Sequence, residues 1–203
     1  MGRPKEYERE DLVARATDLF RTHGYAGTST QMLVDQLRVN KKSLYSEFGN
    51  KLGLFDACLE YYDTLNVENN FGPLERPDAG LEQVQALFEF FAAASSGPAG
   101  GRGCLLCNTA VEFGPEDPSG HAFVQRYFAR ILSAFENALS NAKRSGELKR
   151  GVDIECEAQA FTASVLGLFV MLRAKAKPKL IKGAAAAALR RLDELRKQRR
   201  TAA

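Results

Sequence analysis

Apolar residues recur at three- and four-residue spacing along almost the whole chain, and alternating runs bounded by turn residues are missing, so the pattern predicts an all-α protein. Leu12, Ala16, Leu19 and Phe20 form a first stripe, which Gly24 ends as a C-terminal stop. Thr28 and Gln31 have capping-box spacing for a short second helix that buries Met32, Leu33 and Leu37. A third short helix is expected from Val39 to Phe48, with the Asn40 side chain accepting from the Ser43 amide and Gly49 closing it. Asn50 then caps a fourth helix that opens at Lys51, with Phe55, Cys58, Leu59 and Tyr62 on one face.

Residues 66–80 hold Pro, Gly and few apolar side chains, which predicts a linker or loop. Leu81, Val84, Phe88 and Phe91 open a new helix, broken by SSGPAGGRG at 95–103, and GPEDPSG at 114–120 breaks the next. A long amphipathic helix follows from Phe123 to Leu139 and stops near Gly146, with two more expected over 153–176 and 178–198. The run GAAAAAL favours helix rather than a flexible linker.

Three short helices with tight turns, the third polar at its start and apolar on one side, meet the need of a helix-turn-helix, which shows one face to a groove and another to a core. Residues 8–48 have this form: Leu44 and Phe48 share the inner face, while Lys41, Lys42, Tyr45 and Ser46 point elsewhere. Two lysines at the positive end of the third helix suit a phosphate-lined groove.

A chain of 203 residues can bury one core with a small module attached. No apolar run near eighteen residues is expected to span a membrane, and MGRPKEYERE is too polar for a secretory segment, so a cytoplasmic location is expected. The net charge of +3 is uneven. Residues 1–51 carry 9 Lys/Arg against 7 Asp/Glu, 52–178 carry 11 against 16, and 179–203 carry 8 against 2. The basic start suits contact with phosphate, whereas the C-terminal cluster reads as a solvated tail.

Cys58, Cys104, Cys107 and Cys156 are expected as reduced thiols. Cys104 and Cys107 make one CxxC, but a zinc site wants a second pair or nearby histidines, and the only histidines are His23 and His121. No metal site and no cofactor is therefore expected. An enzyme is not expected either: no nucleophile, base and orienter set is present, no glycine-rich phosphate loop and no HExxH. An all-helical enzyme and a non-DNA-binding adaptor are the competing classes, and steeply salt-dependent retention on heparin or random duplex separates a DNA reader from both.

The segment VNKKSLYSEFGNKLGLF resembles the helix-turn-helix signature of the tetracycline repressor (TetR) family at Val39, Lys41, Ser43, Leu44, Tyr45, Phe48, Asn50, Lys51 and Leu54. FRTHGYAGTST is similar to the family's preceding segment at Phe20, Gly24, Tyr25, Thr28 and Ser29. Asn40 stands where the family has Ser and keeps the cap; Lys42 replaces a Gly; Glu47 replaces an aromatic or His and is expected to face away from DNA or to pair with a lysine.

The resemblance implies a DNA-binding domain over residues 1–50 and a helical ligand-binding and dimerisation domain over 51–203, acting as a homodimer on double-stranded DNA carrying a palindromic operator. By position, Lys41, Lys42 and Tyr45 are expected to approach base edges. Thr28, Ser29, Thr30, Ser43 and Lys51 are expected on phosphate, with Asn40 at the same helix start and Arg3 and Lys5 of the arm on a neighbouring groove or backbone.

In such regulators a small-molecule inducer of unknown identity binds among the central helices. Tyr62, Phe88, Phe91, Tyr127 and Phe161 are the candidates to line an apolar cavity, with Asn108 or Glu112 as its orienting polar group. Cys104 is a second kind of candidate, a thiol that nearby cations such as Arg102 or Lys175 would make reactive toward oxidants or electrophiles. Ala160, Ser164 and Gly167 with Val165, Leu168, Phe169 and Leu172, continued by Leu189, Leu192 and Leu195, form an apolar surface on the last two helices that a two-fold partner would cover.

Overall fold

In the computed structural model, residues 8–97, 102–114 and 118–197 are described, and among them the chain forms ten α-helices. They are α1 (Arg9–Gly27), α2 (Thr30–Leu37), α3 (Lys41–Phe48), α4 (Lys51–Tyr62), α5 (Glu68–Glu75), α6 (Leu81–Ala94), α7 (Leu105–Glu112), α8 (Pro118–Arg144), α9 (Ile154–Arg173) and α10 (Pro178–Leu195). A π-helical turn, Asp63–Val67, joins α4 to α5. Strand pairing among these residues is limited to one isolated bridge, Leu148 with Arg196.

Local rules place the first four helices. Gly24 leaves the helix at φ 76°, ψ 174°, a conformation open to glycine, and the chain makes one further turn before α2. Ser29 caps α2 by accepting from the Met32 amide at 3.1 Å, which corrects the capping box expected from Thr28 by one residue. The Asn40 and Asn50 side chains accept from the Ser43 and Gly53 amides at 2.7 and 2.9 Å, as the pattern requires.

The chain divides into two compact units, Met1–Asn66 with Cys104–Gln125, and Val67–Gly103 with Arg126–Ala203. In the first, α1 packs along α4 and against α7, and Leu12, Phe20, Leu33, Leu44, Leu54, Phe55 and Leu59 are buried together. Cys58 is in this core, where burial pushes its thiol up to about 12 despite a hydrogen bond with Thr17.

In the second unit α6 packs on α10, and Phe88, Phe135 and Phe161 form a triad with centroids 5.6–6.3 Å apart. The expected loop at 66–80 contains α5 instead. Phe71 and Leu74 are buried on its inner side, Arg130 of α8 donates to both Glu75 and Glu68, and Asn137 Nδ2 donates to the carbonyls of Leu74 and Arg76. The Arg130 guanidinium holds the Glu75 carboxyl below its ordinary range. These anchors form a helix around Pro73 that local propensity disfavours.

The expectation of no long apolar run is also corrected: α9 is long and apolar enough, by length and composition, to cross a membrane, with mean hydropathy 1.3. Only 33 % of that window is buried inside the chain. Phe161, Val165, Leu168 and Leu172 of α9 nevertheless belong to the core of the second unit, and its Glu157 accepts from Arg191 of α10.

Candidate DNA-binding interface

The helix expected to read DNA is α3. Leu44 is fully buried and anchors it, Tyr45 and Phe48 are half-buried, and Lys41, Lys42 and Ser46 are exposed. Two contacts fix its angle to its neighbours: the Tyr45 hydroxyl lies 2.7 Å from Thr30 Oγ1 of α2, and Glu47 pairs with Arg9 of α1 at 3.5 Å. The Arg9 guanidinium also lies over the Phe48 ring at 5.3 Å. Glu47 thus faces the core side and pairs with a cation, an arginine rather than the lysine expected. Arg9 was missed because its partners lie nearly forty residues away in sequence.

Among the expected base readers, Lys41 and Lys42 stand free of the core, with the Lys41 ammonium 5.7 Å from the Tyr45 ring centre. Tyr45 is tied to Thr30, so its hydroxyl is engaged inside the unit. Ser29 and Asn40 are exposed, yet each spends its side-chain oxygen on a helix cap. Ser43 is half-buried and its amide feeds the Asn40 cap. Arg3 and Lys5 lie outside the described residues.

Two of the residues expected on phosphate are bonded within the chain itself. Thr28 is completely buried and its hydroxyl donates to the Gly24 carbonyl at 2.6 Å, which leaves it nothing to offer a phosphate. The Lys51 ammonium donates to the carbonyls of Tyr25 and Thr28 at 2.8 and 3.0 Å and stands 4.0 Å from the Tyr25 ring centre. Lys51 therefore joins α4 to the turn that follows α1.

Tyr25 is the hub of this region. Its ring lies 5.0 Å from Phe55 and 5.1 Å from Phe113, and Phe55 in turn touches Phe20 edge-on at 4.9 Å and stacks on Phe113 at 5.4 Å. From α7, the Glu112 carboxylate accepts from the Tyr25 amide at 2.8 Å and the Ala26 amide at 2.6 Å. Glu112 was expected to orient a ligand; in this structure both of its oxygens are held by the backbone amides of Tyr25 and Ala26.

The other expected ligand residues fall in both units. Tyr62, Cys104 and Asn108 are in the first, with Tyr62 and Cys104 buried and Asn108 half-buried. The Tyr62 phenol sits at the start of α7 against Cys104 and Leu105, and burial first, then the Cys104 thiol, raises it well above the usual tyrosine range. Cys104 is 1 % exposed, so an oxidant reaches it only if α7 moves. Phe88, Phe91, Tyr127 and Phe161 are buried in the second unit in ring contacts, Phe91 on Phe169 at 4.9 Å and Tyr127 on Phe71 at 6.3 Å. They are packed core in this state.

The chain matches two family models, one for bacterial regulatory proteins of the tetR family over residues 12–58 and one for the tetracyclin repressor-like C-terminal domain over residues 80–188. It is 31 % identical over 169 residues to the HTH-type transcriptional regulator YezE of Bacillus subtilis, covering 83 % of this chain and 87 % of that one. It is 28 % identical over 200 residues to the HTH-type transcriptional repressor ComR of Escherichia coli, covering 96 % and 93 %. Among solved structures it resembles a cysteine variant of the regulator CifR in complex with a 26-base-pair operator duplex, with TM-score 0.81, 25 % identity and coverage of 93 % and 98 %.

Proposed function

The chain belongs to the TetR family of bacterial regulatory proteins, and from that we propose that it is a dimeric repressor whose α3 reads a palindromic operator and which a small-molecule inducer releases. The observation that carries this reading is the build of α3. An asparagine cap and a buried leucine hold it against the core while two adjacent lysines at its positive end remain exposed. The operator duplex bound to CifR and the repressor function named for ComR support the same assignment.

We divide the work between a reader, residues 1–50, and a sensing and dimerising remainder, residues 51–203. Base edges are assigned to Lys41, Lys42 and the Tyr45 ring, and phosphates to Ser29, Thr30, Ser43 and the amides at the start of α3, with Arg3 and Lys5 on the adjacent backbone. The dimer assignment is supported by α9, two-thirds of whose apolar window is not fully buried within one chain, and by Val170 and Leu180, which are 50 % and 56 % exposed. A two-fold axis between the last helices would set two α3 helices into successive major grooves. The inducer would enter the second unit among Phe88, Phe91, Tyr127 and Phe161 and favour a conformation with lower operator affinity. The site of action is the cytoplasm.

Selection of duplexes from a random-sequence pool tests the reading directly: the purified protein should enrich an inverted repeat, and binding should weaken steeply with salt. Enrichment of nothing, at low ionic strength, overturns it. Within the selected sequence, Lys42→Ala is expected to relax preference at one base position per half-site by about 1–3 kcal/mol and leave the other positions unchanged. A uniform loss at every position would instead make Lys42 a phosphate contact.

A further inference from the structure

The last turn of α7 ends on a residue that helix electrostatics disfavours there. A carboxylate at a helix C-terminus faces the negative end of its own dipole, so Glu112 draws no local support from α7. Its support comes from α1: after Gly24 the backbone presents the consecutive amides of Tyr25 and Ala26, and one oxygen of Glu112 accepts from each. Gly24 makes room for this approach, because a Cβ built there would stand 2.9 Å from Glu112 Oε2. The adjoining Phe113 lies against Tyr25 and Phe55, so charge and packing hold the same end of α7 to the same turn.

That turn is also where Lys51 of α4 donates to the Tyr25 and Thr28 carbonyls, and Ser29, one residue on, caps α2. Seven residues before Glu112, α7 opens at Leu105 beside the Tyr62 phenol, the last residue of α4. The helix is therefore a strut about 12 Å long, with one end at a candidate sensing residue and the other on the turn that places α2 and α3.

We propose that the Glu112 carboxylate, by accepting the amide protons of Tyr25 and Ala26, is the latch through which α7 sets the DNA affinity of the reading helices. With the latch closed, the turn after α1 is fixed and α3 is presented in its binding position; a displacement of α7 opens the latch and lets the turn relax, which lowers affinity without any contact between Glu112 and DNA. The inference rests on the DNA reading proposed above for α3.

The test uses the full chain and the duplex recovered by selection with the wild-type protein. Glu112→Gln keeps the shape and one acceptor, Glu112→Ala removes both, and Val111→Ala on the same turn, at a side chain 81 % exposed, leaves the latch intact. Amide hydrogen exchange at Tyr25 and Ala26 reports the latch itself. Expected are faster exchange at both amides in the Gln and Ala variants and duplex affinity lower by about fivefold and about tenfold or more respectively, with Val111→Ala within about twofold of wild type. Faster exchange with affinity unchanged overturns the latch as a control of DNA binding, and unchanged exchange overturns the latch as a contact. Should Glu112→Ala fail to fold, Glu112→Gln carries the same two readouts. A wild-type protein that binds no duplex removes the DNA reading and this inference with it, an outcome distinct from either of the others.

Discussion

Phe55→Ala is expected to destabilise the first compact unit, which holds α1 to α4 and α7, by about 3–5 kcal/mol, the cost of emptying a well-packed aromatic site, and to abolish duplex binding. Phe55 is 1 % exposed and touches Phe20, Tyr25 and Phe113, so one ring joins α1, the turn after it, α4 and α7. Removing it leaves a cavity that these helices cannot close without moving the Tyr25 turn, to which Lys51 and Glu112 are both bonded. In a chain of this length the loss lowers Tm by about 6–20 °C. Phe55→Leu, which fills most of the volume, should lose less than half as much. Thermal and denaturant melts of the two variants check this, and a loss below about 1 kcal/mol for Phe55→Ala would show that the cluster is not what holds the unit together.

Where a feature depends on neighbours within one or two turns, the sequence disclosed it. Asn40 and Asn50 cap the helices that follow them because capping needs only an amide three residues on, and the buried side of α3 follows from the spacing of Leu44 and Phe48. The exposed lysines of α3 are legible for the same reason. Features that depend on distant partners were hidden. The α5 helix forms around Pro73 because Arg130 and Asn137, more than fifty residues later, hold its ends. Glu112 looked like a polar group for a ligand because nothing near it in sequence hints at amides 86 and 87 residues earlier. Thr162, Ser164 and Gly167 interrupt the apolar run of α9, although its average still reaches a membrane-like value. Thr28 and Ser29 were exchanged as caps because the extra turn after Gly24 shifts the start of α2 by one residue.

Lys51 is where the two kinds of reading conflict, and its replacement decides between them. The family resemblance implies a phosphate contact, which the position at the start of α4 also suits. The structure gives the ammonium two backbone carbonyls and the Tyr25 ring, all on the turn between α1 and α2. Hydrogen bonds from a charged donor contribute more than neutral ones, and the ring adds a smaller attraction, so Lys51→Met, which retains the apolar stem, is expected to cost about 2–3 kcal/mol of stability. A phosphate contact is seen differently: losing one reduces the slope of log K against log salt concentration by about 0.9, with little effect on the free protein. We expect Lys51→Met to melt lower and to bind the selected duplex more weakly with the salt slope preserved, because α3 is then presented by a looser turn. An unchanged Tm with a slope smaller by about one phosphate would return Lys51 to the DNA and leave the Tyr25 turn held by Glu112 and the aromatic cluster.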